Sequence, residues 1–155
     1  MKAEKLGLKG EIELVHRDKN RNILDIIRVP NAIMIAGLDE CSGLLLTDVG
    51  GTAYDYIAIG TGTTAATYTQ TQLVEEITTG GGARTAGTGT QTTTTVTNDT
   101  SQLVATFTFS AAFAVTESCM INAASEGDML CRQTFSAINV ASDDSLQVTW
   151  KVAFS

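Results

Sequence analysis

One histidine and three cysteines are the first places to look for chemistry in this chain. A Ser-His-Asp or Cys-His catalytic system has to use His16, which lies in a charged segment without a matching nucleophile motif. We therefore interpret His16 as a surface residue. Cys41, Cys119 and Cys131 form no CxxC pair. Buried free thiols are the favoured interpretation, and a pairing of Cys119 with Cys131 across a hairpin is the alternative.

A glycine motif follows a predicted strand. Residues 60–65, Gly-Thr-Gly-Thr-Thr-Ala, fit the G-x-G-x-x-A pattern of dinucleotide-binding folds. No strong helix opens at Ala65, and no acid stands at the spacing that ribose binding requires. We interpret the motif as a tight turn whose glycines supply positive φ.

Three acidic doublets are candidates for paired carboxylates or a cation site: Asp39-Glu40, Glu75-Glu76 and Asp143-Asp144. Adjacent carboxylates are usually solvated, so we do not expect glycosidase chemistry. A structural Ca²⁺ at an acidic turn is the alternative, although no twelve-residue calcium loop is present. We expect no catalytic residue, no metal and no cofactor.

The tyrosines and one sequon also have structural explanations. Tyr54, Tyr56 and Tyr68 are able to stack on sugars, but packing in a core or an interface is favoured. Residues 98–100, Asn-Asp-Thr, match a glycosylation sequon and are interpreted as a turn. Together these motifs predict a protein that is not an enzyme.

Composition and charge narrow the possible classes of protein. The chain has 155 residues, 43% of them hydrophobic, and a net charge of −7. The acidity argues against sequence-independent nucleic-acid binding and against docking on an anionic membrane. No apolar stretch is long enough to span a membrane, and no signal-like run follows the first residues, so we expect synthesis in a cytoplasm without an export address. Of 24 threonines, 22 lie between Thr47 and Thr116, which favours β-structure.

The first part of the chain predicts a hairpin and a helix. Residues 1–30 are interpreted as a charged arm with two short strands, 11–16 and 23–29, around a polar turn. Apolar residues at three- and four-residue intervals predict one short helix within 31–46, with Asn31 as its N-cap. The predicted division is an arm, 1–30, and a core domain, 31–155.

The middle of the chain is less regular. Residues 54–60 predict a strand, and residues 70–77 predict a helical turn. The Thr-rich residues 83–97 fit a disordered linker or a long strand that is polar on both faces, and the threonine content favours the strand. Such a strand is expected at a subunit interface or an exposed edge.

The last third carries the strongest strand pattern. Apolar and polar residues alternate through 103–109 and 146–155, with further strands predicted at 114–122 and 129–135 and turns at 125–128 and 143–145. The predicted fold is all-β, mainly an antiparallel β-sandwich or jelly-roll-like barrel, with one short α-helix and an N-terminal β-hairpin arm.

Three stretches in this order resemble a family of small structural proteins of tailed-bacteriophage virions, variously labelled tail, minor structural or capsid-decorating proteins. They are 31–46, then 56–64 with 73–77, and finally 116–125 with 129–136 and 144–152. The resemblance covers roughly residues 20–155 and includes no catalytic residue. It implies a virion protein assembled in the host cytoplasm.

The role that we expect is capsid decoration, in which a homo-oligomer, expected to be a trimer, clamps the major capsid protein or other virion proteins. A tail component, such as a tube, collar, baseplate or fibre-base subunit, is the alternative. A carbohydrate-binding adhesin module is the alternative from another class. Deleting residues 1–28 is expected to abolish particle binding and leave a folded core. The candidate interface residues are Ile12, Leu14, Ile23, Ile26, Arg28, Tyr54, Tyr56, Arg84, Thr92 and Thr94.

Overall fold

The fold is all-β, as the sequence predicts. A computed structural model describes residues 7–46 and 49–154, which form two five-stranded antiparallel sheets and one short helix. The elements in chain order are β1 (Leu8–Arg17), β2 (Ile23–Pro30), β3 (Ala32–Ile33), α1 (Ile35–Gly43), β4 (Tyr56–Gly60), β5 (Thr85–Ala86), β6 (Thr88–Thr92), β7 (Thr100–Thr108), β8 (Phe113–Ile121), β9 (Met129–Val140) and β10 (Ser145–Phe154).

The two sheets pack face to face as a sandwich. One has the strand order β2-β1-β10-β7-β6, and the other has the order β3-β9-β8-β4-β5. Their inner faces share one hydrophobic cluster, in which Trp150 is the largest fully buried side chain. The Trp150 indole N–H donates to Ser118 Oγ at 3.2 Å. This bond joins β10 of the first sheet to β8 of the second and satisfies the polar atom of the buried indole.

The alternation in the last third is confirmed. In β7 the side chains of Leu103, Ala105 and Phe107 are buried, while the residues between them are exposed or half-buried. In β10 every second residue from Leu146 to Val152 is buried, but the pattern is not strict: Thr149 is buried as well, and Phe154 is 42% exposed. Because successive side chains of a strand point to opposite faces, this periodicity indicates which face of the strand meets the core.

The structure contradicts the separable arm predicted for residues 1–30, of which residues 1–6 lie outside the described range. β1 lies inside its sheet, paired with β10 on one side and with β2 on the other. Ile12 and Leu14 belong to the main core. The short turn at 18–22 was predicted correctly, but the strands that it joins are part of the sandwich because β10 needs β1 as its neighbour.

The predicted helix is shorter than its pattern suggested. Residues 32–33 pair with β9 as β3, so α1 begins only at Ile35. Asn31 is therefore not the N-cap; Met34 holds that position without a side-chain hydrogen bond. Residues 70–77, all of them described, contain no helical turn, since the backbone there bends to contact β4 and β8.

The Thr-rich residues 83–97 form two short strands instead of one long strand. β5 pairs with β4 in one sheet, and β6 pairs with β7 in the other. The chain crosses between the sheets at Gly87, whose N–H donates to Asp55 O at 2.8 Å. A Cβ at Gly87 would lie 2.7 Å from the Leu103 side chain, so the crossing requires glycine. The expected exposed edge is confirmed, because β6 ends its sheet.

Candidate interaction surfaces

The prediction of a surface position for His16 is wrong. His16 is buried, and its Nε2 lies 2.8 Å from Asp144 Oδ2. Asp144 also accepts the Ala141 N–H at 2.9 Å. The pair links the end of β1 to the turn between β9 and β10. Because both side chains have almost no exposed surface, the pair is a structural contact.

This pair predicts an acid-sensitive stability. The Ala141 N–H, and after it His16, hold the pKa of the Asp144 carboxyl below its usual range. A carboxyl whose folded pKa is lowered stabilises the fold above its unfolded pKa, about 3.9, and loses that contribution as the pH falls further. We expect Asp144→Asn to lower the free energy of unfolding by about 1–3 kcal/mol at neutral pH. The difference from wild type should shrink below about pH 4.

Urea denaturation of both proteins over a series of pH values measures this difference. Asp143→Asn is the matched control, because Asp143 is the exposed neighbour and its positive φ suits asparagine. It should follow wild type at each pH. A gap between Asp144→Asn and wild type that stays constant into strong acid would contradict the prediction.

The glycines of the 60–65 motif have a role other than the predicted one. Neither Gly60 nor Gly62 has a positive φ. Instead the carboxylate of Glu117 packs against both: a Cβ on Gly60 would lie 2.6 Å from Glu117 Oε1, and one on Gly62 would overlap it. The glycines are therefore required by the close approach of the Glu117 side chain and, at Gly60, of the Glu75 carbonyl oxygen at 2.5 Å, not by turn geometry.

Glu117 and Arg132 form a buried ion pair that closes this region. Both side chains are fully buried, and Arg132 Nη2 lies 2.6 Å from Glu117 Oε2. Glu117 also accepts backbone N–H groups from Gly62, Val74 and Glu75 at 2.7–3.1 Å. The remaining Arg132 donors reach the loop as well, through Gln70 Oε1 at 2.8 Å and Thr64 O at 2.9 Å.

Both carboxylate oxygens of Glu117 and four of the five N–H groups of Arg132 are used within the protein. Because both side chains are fully buried and hold the loop through these bonds, the pair fixes residues 60–77 on the sheet. Sequence reasoning missed it. The available signal was a glutamate and an arginine that are the only charged residues of two strands, β8 and β9, where a buried charge has to find a partner.

The cysteines confirm the prediction of buried thiols at two of three positions. All three lie in the described ranges and are free; Cys119 and Cys131 are buried, while Cys41 is half-buried. In the β8–β9 register Cys131 stands opposite Met120, one position from Cys119. Burial raises the pKa of both buried thiols, which leaves them without thiolate character at neutral pH.

The acidic doublets do not gather into a cation site. Glu76 binds Arg84 at 2.7 Å, while Glu75 is exposed. Within residues 7–46 and 49–154, no group of three or more His, Cys, Asp or Glu side chains is placed to hold a metal ion.

The ten candidate interface residues do not form one surface in the structure. Ile12 and Leu14 are fully buried, so their selection was wrong: they face the core and cannot meet a partner while the fold is intact. Ile23 and Ile26 are exposed on β2, and Arg28 beside them binds Glu13. Tyr54 and Tyr56 are half-buried. Arg84 binds Glu76 and two backbone carbonyls. Thr92 lies at the end of β6, and Thr94 lies in an exposed turn.

Helix α1 buries its small residues and exposes its large apolar residues. Its buried residues are Gly37 and Gly43, while Ile35 and Leu38 are 54% and 49% exposed. A Cβ at Gly37 would lie only 2.5 Å from the Leu130 backbone, so the glycine lets the helix lie directly on β9. A surface helix normally buries its large apolar residues and exposes small or polar ones. The reverse arrangement leaves apolar area that water solvates poorly.

The apolar surface continues beyond the helix. Leu45 is 83% exposed. Beside Leu44, a cleft of about 430 Å³ opens between the sheets, lined by Tyr54, Leu103 and Phe154 among others. We call the exposed side chains of this region the α1 face; its members are Ile35, Leu38, Leu44, Leu45, Leu46 and Val49. Large contiguous apolar patches on a protein surface usually mark interaction sites.

A second apolar surface lies on β2, at the edge of the other sheet. Ile23, Leu24 and Ile26 are 43–57% exposed. Asn31 N–H donates to Gly10 O, and the β1–β2 register continues that pairing, so Ile26 and Arg28 direct their backbone groups away from β1. A bulge near Leu24 interrupts the ladder, which limits simple strand addition along the whole edge.

Charge is unevenly divided along the sequence. Residues 29–83 contain no Lys or Arg and six acidic residues, whereas residues 1–28 hold seven of the ten basic residues. The turn that begins β2 carries Arg17, Lys19 and Arg21. The α1 face is bordered by Asp39 and Glu40 instead. In space the charges are mixed: Asp18, Asp25, Asp143 and Asp144 lie at the same end as that turn, and Lys9 and Lys151 lie toward the α1 end.

Comparisons with protein-family models, curated proteins and solved structures give no match for this chain. In the part of the chain that the structure describes, no helix has the length and apolar character needed to cross a membrane.

Proposed function

We propose that this protein is a non-enzymatic structural component of a tailed-phage particle, where it decorates the capsid shell and stabilises it by contacts between subunits. The observation that carries the proposal is the packing of helix α1, which exposes Ile35 and Leu38 to solvent and packs its glycines on β9. A helix that places its glycines against the core and its large apolar side chains outside is suited to binding another protein surface.

The polar groups of the sandwich support the same role. The buried pairs Glu117–Arg132 and His16–Asp144 hold loops and turns, with no open side for a reactant. The three stretches that resemble virion structural proteins fall on α1, on β4 and its following loop, and on β8 to β10. A shell-binding protein works by mass action, since binding only the assembled state stabilises that state.

Copy number in purified particles tests the proposal. In particles of the phage that encodes the chain, quantitative mass spectrometry should find hundreds of copies, and an electron-microscopy map should place them on the shell. A few copies or about a dozen would instead assign the protein to the collar, baseplate or fibre base. Absence from the particle would overturn the structural role altogether.

Binding to particles that lack the protein tests the α1 face directly. We expect Leu38→Asp/Leu45→Asp to weaken binding at least tenfold, because a buried contact centre tolerates an unpaired carboxylate poorly. Val96→Asp is the matched control: Val96 is 66% exposed but lies in the turn before β7. Equal binding by all three proteins would contradict the assignment of the α1 face.

A further inference from the structure

We propose that two copies of this protein associate through the edge strand β6, which pairs antiparallel with β6 of the second copy about a twofold axis at Thr90. The contact would join two five-stranded sheets into one continuous sheet. The inference goes beyond the structural role proposed above and does not rest on it, because the edge strand is a property of the isolated chain. It predicts a dimer in place of the trimer expected from the sequence.

Among the sheet edges formed by residues 7–46 and 49–154, β6 is the one without protection against a neighbouring strand. Edge strands of soluble proteins are normally very short or carry charges, proline or a bulge. β3 and β5 are two residues long. β2 has charges at Asp25 and Arg28, a bulge near Leu24, and Pro30, which has no N–H. β6 has the sequence Thr-Gly-Thr-Gln-Thr and is exposed along most of its length, so a second strand meets no such obstacle there.

The free hydrogen-bonding groups of β6 belong to Gly89 and Gln91. Phe154 N–H donates to Asp99 O, and the β10–β7 register continues this pairing at every second residue. β7 therefore binds β10 through its odd-numbered residues and β6 through its even-numbered residues. The even-numbered residues stand opposite the three threonines of β6. The backbone N–H and C=O groups of Gly89 and Gln91 consequently point to the free edge.

The strand is complementary to itself in the register centred on Thr90. An antiparallel pairing there places Gly89 of each copy opposite Gln91 of the other copy. Both places are hydrogen-bonded positions, so each contributes two N–H···O=C bonds. The threonines occupy the positions between, where side chains of neighbouring strands are closest: Thr90 meets Thr90, and Thr88 meets Thr92. Threonine pairs across strands are favourable.

Nothing within one copy requires the glycine at Gly89. Its φ is not positive, and a Cβ there would meet no atom within 4 Å. A glycine inside a strand weakens the strand and often marks the close approach of another chain. In the proposed pairing, Gln91 of the other copy lies opposite Gly89, at the rim of the cleft of about 430 Å³ that both residues line. The long side chain therefore finds space where a β-carbon is missing.

Charge does not oppose the contact at this edge, although each copy has a net charge of −7. Neither β6 nor β7 contains a charged residue, and residues 85–116 contain only Asp99. The Asp99 carboxylate accepts three backbone N–H groups of the turn after β6. Asp55 holds Gly87 through its carbonyl oxygen. Gly87 of one copy would stand opposite Thr93 of the other, so the two Asp55 sites lie roughly 20 Å apart along the strands.

Charge variants at Thr90 test the twofold contact, because residue 90 of each copy faces residue 90 of the other. Thr90 is exposed, so Thr90→Lys and Thr90→Glu should fold as wild type does, which circular dichroism checks. Sedimentation equilibrium of wild type should show a dimer that dissociates on dilution. Each variant alone should dimerise more weakly by about tenfold or more, since like charges directly opposite are destabilising. An equimolar mixture should restore dimers that contain one copy of each.

A substitution at Gln91 supplies a second test. Gln91→Pro removes an N–H that points to the free edge and leaves the bonds to β7 in place, while Gln91→Ala keeps that N–H and is the matched control. Gln91→Pro should be monomeric, and Gln91→Ala should form dimers. A wild type that is monomeric at every soluble concentration would mean that the edge meets a different strand or none, and would overturn the inference. Dimers that survive Gln91→Pro would also overturn it, as would a mixture of Thr90→Lys and Thr90→Glu that does not pair.

Discussion

Arg132→Met is expected to lower the free energy of unfolding by about 3–5 kcal/mol, because it leaves Glu117 as an unpaired charge in the core. Both side chains are fully buried, so no water replaces the lost guanidinium. The loop also loses two anchors, since Arg132 no longer donates to Gln70 and Thr64. Urea denaturation at neutral pH measures the loss.

The double variant Glu117→Leu/Arg132→Met distinguishes this pair from a simple buried salt bridge. Replacing both partners of a buried pair by apolar residues is often neutral or stabilising. Here Glu117 also accepts the N–H groups of Gly62, Val74 and Glu75. Each buried N–H left without an acceptor costs about 1–3 kcal/mol. We therefore expect the double variant to remain destabilised.

An exposed pair of the same residue types supplies the control. Arg28 and Glu13 are cross-strand neighbours on β2 and β1, and the Arg28 side chain is 59% exposed. Arg28→Met should change stability by no more than about 1 kcal/mol. A double variant Glu117→Leu/Arg132→Met as stable as wild type would mean that the loop backbone does not depend on the carboxylate.

The sequence predicted those parts of the fold in which a local pattern and the tertiary environment agree. Alternation in β7 and β10 placed Leu103 and Trp150 in the core, and the polar runs at 18–22 and 125–128 marked turns. It failed where a polar side chain is satisfied by a partner far along the chain. His16 finds Asp144 across 128 positions. The pattern of apolar and polar residues within β1 does not indicate that contact.

The candidate site was missed for a related reason. Spacing of apolar residues within 31–46 predicts a helix, but periodicity does not reveal which face meets the core. Gly37 decides this, because only a glycine fits against Leu130. The helix lies close to β9 through its small residues, and Ile35 and Leu38 are left outside. The glycine was visible in the sequence, yet its partner on β9 was not.

Deleting residues 1–28 is expected to abolish folding, contrary to the arm that the sequence suggested. The deletion removes all of β1, and β10 then loses its hydrogen-bonded neighbour. It also removes Ile12 and Leu14, which are fully buried in the main core. Each such side chain contributes about 1.5–3 kcal/mol by burial alone, and uncovering Trp150 adds to the loss. A domain with about 5–15 kcal/mol of total stability cannot absorb this together with the lost strand pairing.

Circular dichroism and amide chemical-shift dispersion of the truncated chain measure the effect. We expect no cooperative thermal transition. Ile23→Ser/Ile26→Ser in the full chain is the matched control, because it removes exposed apolar area from β2 and leaves both ladders of β1 intact. That variant should melt cooperatively near wild type. A truncated chain that also melted cooperatively would restore residues 1–28 as a separable arm. If it does not, loss of particle binding by that truncation carries no information about the hairpin as a contact, and point changes at its tip are the informative ones.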